Sequence, residues 1–124
     1  MPTKITIEIG KLSLKAELND SASAKTLLDA LPRQVSLSRW GDEYYGNCGI
    51  KVQQADDARE DMRVGEVALW PPGNALCIFF GPTPASSGPE PRAASPVNPV
   101  GRLLDDAAPL KGLGPSIRAR ITRA

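Results

Sequence analysis

A small β-barrel of about eight strands is the fold this sequence predicts, and three features predict it. The rigid turn Trp70-Pro71-Pro72-Gly73-Asn74 feeds an apolar stretch, Ala75-Leu76-Cys77-Ile78-Phe79-Phe80, which stops at Gly81-Pro82. Apolar and polar residues alternate with period two near both ends of the chain, the pattern of strands with one face in a core and one in water. No βαβ rhythm and no internal repeat competes with that reading.

The elements follow in order. Ile5, Ile7 and Ile9 alternate with Thr6 and Glu8, and Leu12, Leu14, Ala16 and Leu18 alternate with Ser13, Lys15 and Glu17. Gly10-Lys11 between them predicts a hairpin with a type II′ turn, Gly supplying the positive φ. Asn19-Asp20-Ser21 is an N-cap cluster ahead of a short amphipathic helix over 24–31, with Ala24, Leu27, Leu28 and Leu31 on one face and Pro32 as its stop. Such a helix is expected to plug one open end of a barrel. Val35 and Leu37 begin a strand that runs on into Arg39–Gly46, followed by 49–53. The charged stretch Asp56–Arg63 reads as a solvated connection and lacks the grammar of a calcium loop.

Gly65–Trp70 and Ala75–Phe80 are the central strands. On the second, Leu76, Ile78 and Phe80 are expected to face the core, and Cys77 and Phe79 an outer groove; a slip of one residue would reverse this. From Gly81 to Gly101 six prolines predict a long irregular loop, either mobile or held against the barrel. Val100–Leu104 is a strand, 105–113 a short helix or turn, and Ile117, Ala119 and Ile121 mark a closing strand. Strands in this number fill a barrel with side chains, leaving function to the outer face and loops.

A chain of 124 residues forms one domain, over 1–124, and buries roughly two thirds of its unfolded surface. The net charge of +1 offers no basic field for nucleic acid. No apolar run approaches the ~20 residues of a membrane span, and the N-terminus lacks the apolar core of a signal peptide. A cytoplasmic protein without nucleic-acid or membrane partners is expected. Cys48 and Cys77 read as free thiols, with a transient redox pair as the alternative. The chain has no histidine, which excludes a Ser-His-Asp triad, a Cys-His dyad and His-ligated metal; no metal or cofactor is expected.

The run Gly65–Pro84, with Trp40-Gly41-Asp42-Glu43-Tyr44-Tyr45 upstream and Ser95-Pro96-Val97-Asn98-Pro99-Val100-Gly101 downstream, resembles the small bacterial and archaeal cyclophilin-like proteins. The resemblance spans essentially the whole chain. It implies a closed, eight-stranded antiparallel barrel capped by one or two short helices, and little about chemistry. A more distant similarity is to the cyclophilins, the peptidyl-prolyl isomerases. These place an arginine beside the imide nitrogen of a substrate proline, weakening the conjugation behind a barrier of ~18–20 kcal/mol. Their arginine lies in a Phe-His-Arg context, whereas here the comparable position is Leu37-Ser38-Arg39-Trp40. Their Gln-Phe-Phe strand corresponds to Cys77-Ile78-Phe79-Phe80, and their pocket histidine has no counterpart.

These readings select the candidate residues. Arg39 is the one catalytic candidate, or an anion anchor, or a surface arginine stacked on an aromatic ring. Trp40, Tyr44 and Tyr45 line a ligand groove or pack at the barrel rim. Cys77 and Phe79 form the groove floor, and Asn98 either caps a loop or presents its amide to a ligand. Trp70 reads as a core or rim residue. Arg118, Arg120 and Arg123 form a solvated strand face or meet an acidic partner. The expected function is binding of a peptide segment or small molecule in an outer groove. A weak prolyl isomerase using Arg39 is the second reading, and a self-associating structural module the third. Whether the chain is a monomer or homodimer is not decided by the sequence.

Overall fold

A computed structural model describes residues 3–124, so the first two residues of the domain expected over 1–124 lie outside it. Nine strands are present among the described residues: β1 Thr3–Ile9, β2 Leu12–Leu18, β3 Arg33–Arg39, β4 Glu43–Asn47, β5 Arg59–Asp61, β6 Glu66–Trp70, β7 Ala75–Phe79, β8 Arg92–Leu103 and β9 Ser116–Arg123. Eight of them close into a ring in the order β2-β1-β9-β3-β4-β7-β6-β8, with β8 returning to β2 and β5 added along β8. Every pairing is antiparallel.

The hairpin forms as its sequence dictates. Ile9 pairs with Leu12 across a two-residue turn in which Gly10 has φ 60° and Lys11 stays out of the left-handed region, the pattern of a type II′ turn. The helix α1 spans Ala22–Asp29, two residues earlier than expected. The cause is its cap: the Ser21 hydroxyl oxygen accepts from the Ala24 N–H at 3.1 Å, so helical geometry begins immediately after Ser21. Ala24 and Leu27 of α1, and Leu110 of the 3-10 turn Ala108–Gly112, join the inward residues of the ring in one buried cluster. Each large aliphatic side chain buried there contributes about 1.5–3 kcal/mol.

Two expectations are corrected. The irregular loop predicted over 81–101 extends only to residue 91, because β8 begins at Arg92. Its prolines are compatible with a strand because they fall where ladder donors are not needed. Pro99 sits at a bulge, since Val67 pairs with Gly101 but Ala68 with Pro99; Pro96 lies in the irregular part of the β5–β8 pairing. What remains of the loop is tied together. Thr83 N–H donates to Ser86 Oγ at 2.9 Å, and that hydroxyl donates to the Glu90 carbonyl at 2.7 Å. The charged connection 56–63 is likewise more than solvated. It contains β5, its Arg59 forms a two-pronged ion pair with Glu66, and it buries Met62.

Asn98 shows why this region is ordered. Its amide nitrogen donates to Ser23 Oγ at 3.0 Å and to the Gln53 carbonyl at 2.8 Å, while its oxygen accepts from Ala55 N–H at 2.8 Å. One buried side chain thereby joins α1, the 53–55 segment and β8. Asn98→Ala leaves these groups without partners and is expected to cost about 2 kcal/mol, read as a lowered urea midpoint.

A candidate binding pocket on the outer face

The strand wall β4–β7–β6–β8 carries side chains alternately inward and outward. Tyr44, Leu76, Ile78, Phe80, Val67 and Leu69 point into the ring. Cys77, Phe79 and Ala68 point outward, where Met62, Ala93 and Val97 cover them in a second buried cluster against which Trp70 packs. The parity expected for strand 75–80 is therefore the one observed. Phe79, however, is 0% exposed beneath this cover and lines no open groove.

Where the cover ends, a pocket of about 250 Å³ opens. Trp40, Tyr45 and Trp70 supply its aromatic lining, Ala93, Ala94 and Val97 its aliphatic lining, and Glu43 and Cys77 its polar groups. Trp70 is fixed by donation from its indole Nε1 to Ser95 Oγ at 2.6 Å. Trp40 sits in the β3–β4 turn, which is closed by Trp40 N–H to the Glu43 carbonyl at 2.8 Å. Tyr45 is exposed at the rim.

Glu43 is the unusual member. It is only 5% exposed, and its Oε1 has no hydrogen-bond partner. Burial raises its pKa from the ordinary 4.5 to about 7, with the neighbouring Cys77 thiol opposing part of that rise. The Cys77 thiol is itself pushed up, by burial first and then by Glu43, and stays protonated at neutral pH. Cys48 lies in the inner cluster, so the two cysteines occupy opposite faces of the wall and both are free.

Of the sequence candidates, Trp40, Tyr45 and Cys77 meet at this pocket. Tyr44 lies inside the ring, stacked on Phe80 at 5.3 Å, and its hydroxyl donates to the Gly114 carbonyl at 2.6 Å. Asn98 is the interior tie described above. Arg39 follows Val35 and Leu37 along the inward face of β3, with its guanidinium 5.0 Å from the Phe80 ring centroid and 5.9 Å from that of Tyr44. Its Nε donates to the Gly41 carbonyl, Nη1 to the carbonyls of Lys111 and Leu113, and Nη2 to Asp42. Arg118 and Arg120 are exposed, while Arg123 donates to the Leu28 carbonyl.

Sequence reasoning missed Glu43 and undervalued Trp70 as pocket residues. The signal available for Glu43 was its position two residues before Tyr45 on one strand face. A wider cleft of about 1100 Å³ lies between 59–64 and 87–92, but its Arg59 and Arg92 are paired with Glu66, Glu60 and Asp61. The 250 Å³ pocket combines aromatic walls with an unpaired polar atom, and it is the stronger candidate.

Comparison with known proteins supplies the family. A family model described as cyclophilin-like matches residues 3–121, and the chain belongs to that family. The structure is similar to the solution structure of a hypothetical protein from Archaeoglobus fulgidus, with a TM-score of 0.82 and 31% identity over 99% of this chain and 95% of that one. Among curated proteins, none matches the chain. No helix of the described residues is long and apolar enough to cross a membrane.

Proposed function

We propose that this cyclophilin-like chain forms a closed barrel whose outer pocket binds a peptide segment or small molecule with an apolar body. The observation that carries this reading is the aromatic pocket of about 250 Å³. A dry cavity of about 150 Å³ already accommodates benzene, so a fragment-sized group or one large side chain fits here. The binding reading is favoured over isomerase activity because four Arg39 N–H donors are already engaged, on the face of the wall opposite the pocket. Of the exposed large apolar side chains among the described residues, Tyr45, Val64 and Leu104, Tyr45 alone borders the pocket, so self-association through this rim has little apolar area to bury.

The test uses a convenient property of the chain: both of its tryptophans line the pocket. Titration with aromatic fragments and X-Pro peptides is expected to give saturable changes in tryptophan fluorescence. Tyr45→Ala is expected to weaken binding about tenfold without loss of the folded state. A panel that produces no saturable change with folded protein would overturn the reading. The same X-Pro peptides are expected to isomerise at their uncatalysed rate of tens to hundreds of seconds, followed by exchange NMR. Acceleration that disappears in Arg39→Ala would instead put isomerase activity first.

A further inference from the structure

Resting on that reading, we infer that the outer pocket selects an organic ammonium ion, holding its apolar body against Trp40, Tyr45 and Trp70 and its N–H against the carboxyl group of Glu43, whose buried Oε1 has no partner. Three properties of the site point to positive charge. Aromatic rings attract cations through their quadrupole, most strongly where water is excluded. A buried carboxylate oxygen without a donor is costly unless a partner supplies one. And no lysine or arginine lines the pocket, so nothing in the site neutralises Glu43 or repels an incoming cation.

The donor count narrows the cation. A guanidinium brings five N–H groups in a fixed plane and needs more acceptors than one carboxyl oxygen. A metal ion needs several hard or soft ligands, and no group of three or more His, Cys, Asp or Glu residues among the described residues forms a metal site. A primary or secondary ammonium on a small hydrocarbon body is compact and carries its donors on one rotatable nitrogen, so one N–H can meet the Glu43 carboxyl while the others face the aromatic rings or water at the pocket mouth.

Proton linkage gives the site a second signature. The titratable side chains sharing the pocket with Glu43 are Tyr45 on its own strand and Cys77 on β7; β6 and β8 contribute uncharged residues. A bound ammonium favours the ionised carboxylate, so below about pH 7 binding must displace the Glu43 proton to solvent. Amine affinity therefore rises with pH up to about 7 and levels off until the amine itself loses its charge.

The experiment compares benzylamine with benzyl alcohol, near-isosteres that differ in charge, by tryptophan fluorescence at pH 8 and pH 5.5. Wild type at pH 8 is expected to bind the amine at least about tenfold more tightly than the alcohol, and Glu43→Gln to reduce that preference to within about threefold. In wild type at pH 5.5 the amine is expected to weaken by roughly tenfold or more while the alcohol is unchanged. The pH series needs no variant, so it stands even if Glu43→Gln alters the fold. Equal binding of amine and alcohol, or an amine preference retained in Glu43→Gln, overturns the inference alone. No response to either compound overturns it together with the binding reading. A parallel pair, capped lysine amide against capped norleucine amide, separates sources: a preference there supports the inference with a peptide side chain as ligand, and a preference confined to benzylamine supports it with a free amine.

Discussion

Glu43→Gln is expected to stabilise the protein at pH 8 by about 3 kcal/mol and to leave it nearly unchanged at pH 4.5. The argument follows from where the proton sits. The unfolded chain releases the Glu43 proton near 4.5, whereas the folded protein keeps it until about pH 7. Between these values the unfolded state binds fewer protons than the folded one, so stability falls as pH rises and stays reduced above about 7. Glutamine has no proton to lose, and the step disappears. Urea midpoints at pH 4.5, 6, 7 and 8 for both proteins provide the measurement. With a urea slope of ~1–3 kcal/mol per molar, the curves should separate by about 1 M or more at pH 8. Parallel profiles would show that Glu43 is solvated in the folded state. A stability cost carried at one buried carboxyl is what the proposed binding role would entail.

Gly101→Ala is expected to open the ring and lower the melting temperature by roughly 10 °C, equivalent to about 3 kcal/mol or more. Gly101 pairs with Leu18 on one side and Val67 on the other, at the point where β8 closes onto β2. A methyl group there would press into the Glu17 carbonyl oxygen and lie 3.1 Å from Leu18 Cα, and both obstacles are backbone. Relief requires β2 and β8 to separate. That threatens the bonds from Asn19 N–H to the Val100 carbonyl and from Leu104 N–H to the Lys15 carbonyl, both 2.8 Å. Gly112→Ala, where the added carbon meets nothing within 4 Å, is the control and should change stability by less than about 0.5 kcal/mol. Similar melting temperatures for the two variants would show that the β2–β8 seam yields at little cost.

The legibility of this chain follows the asymmetry of its environments. β1, β2 and β9 have one face in the core and the other largely in water, so the alternation of Ile5–Ile7–Ile9, Leu14–Ala16–Leu18 and Ala119–Ile121 announces them. β7 is buried at all five positions, and a continuous apolar run carries no information about which side is which. β8 was concealed by Pro96 and Pro99, because prolines mark loops unless a bulge or a broken register makes room for them. Glu43 was the least visible. A carboxylate beside Asp42, between Trp40 and Tyr45, reads as surface, and the residues that share its pocket from β6, β7 and β8 are distant in sequence. Arg39 was legible as an aromatic-stacked arginine, but not its bonds to Lys111 and Leu113, which depend on where the chain returns.

The two-sided wall has a consequence for how this fold diverges. Its inward residues form one cluster and its outward residues another, and no side chain belongs to both. Neighbouring positions on a strand point apart, so replacements on the outer face leave the inner packing in contact with the same atoms as before. Positions 43, 45, 70, 77 and 94 can therefore change while the inner packing of the ring stays as it is. Lineages sharing this architecture can alter the outer face without first having to refold.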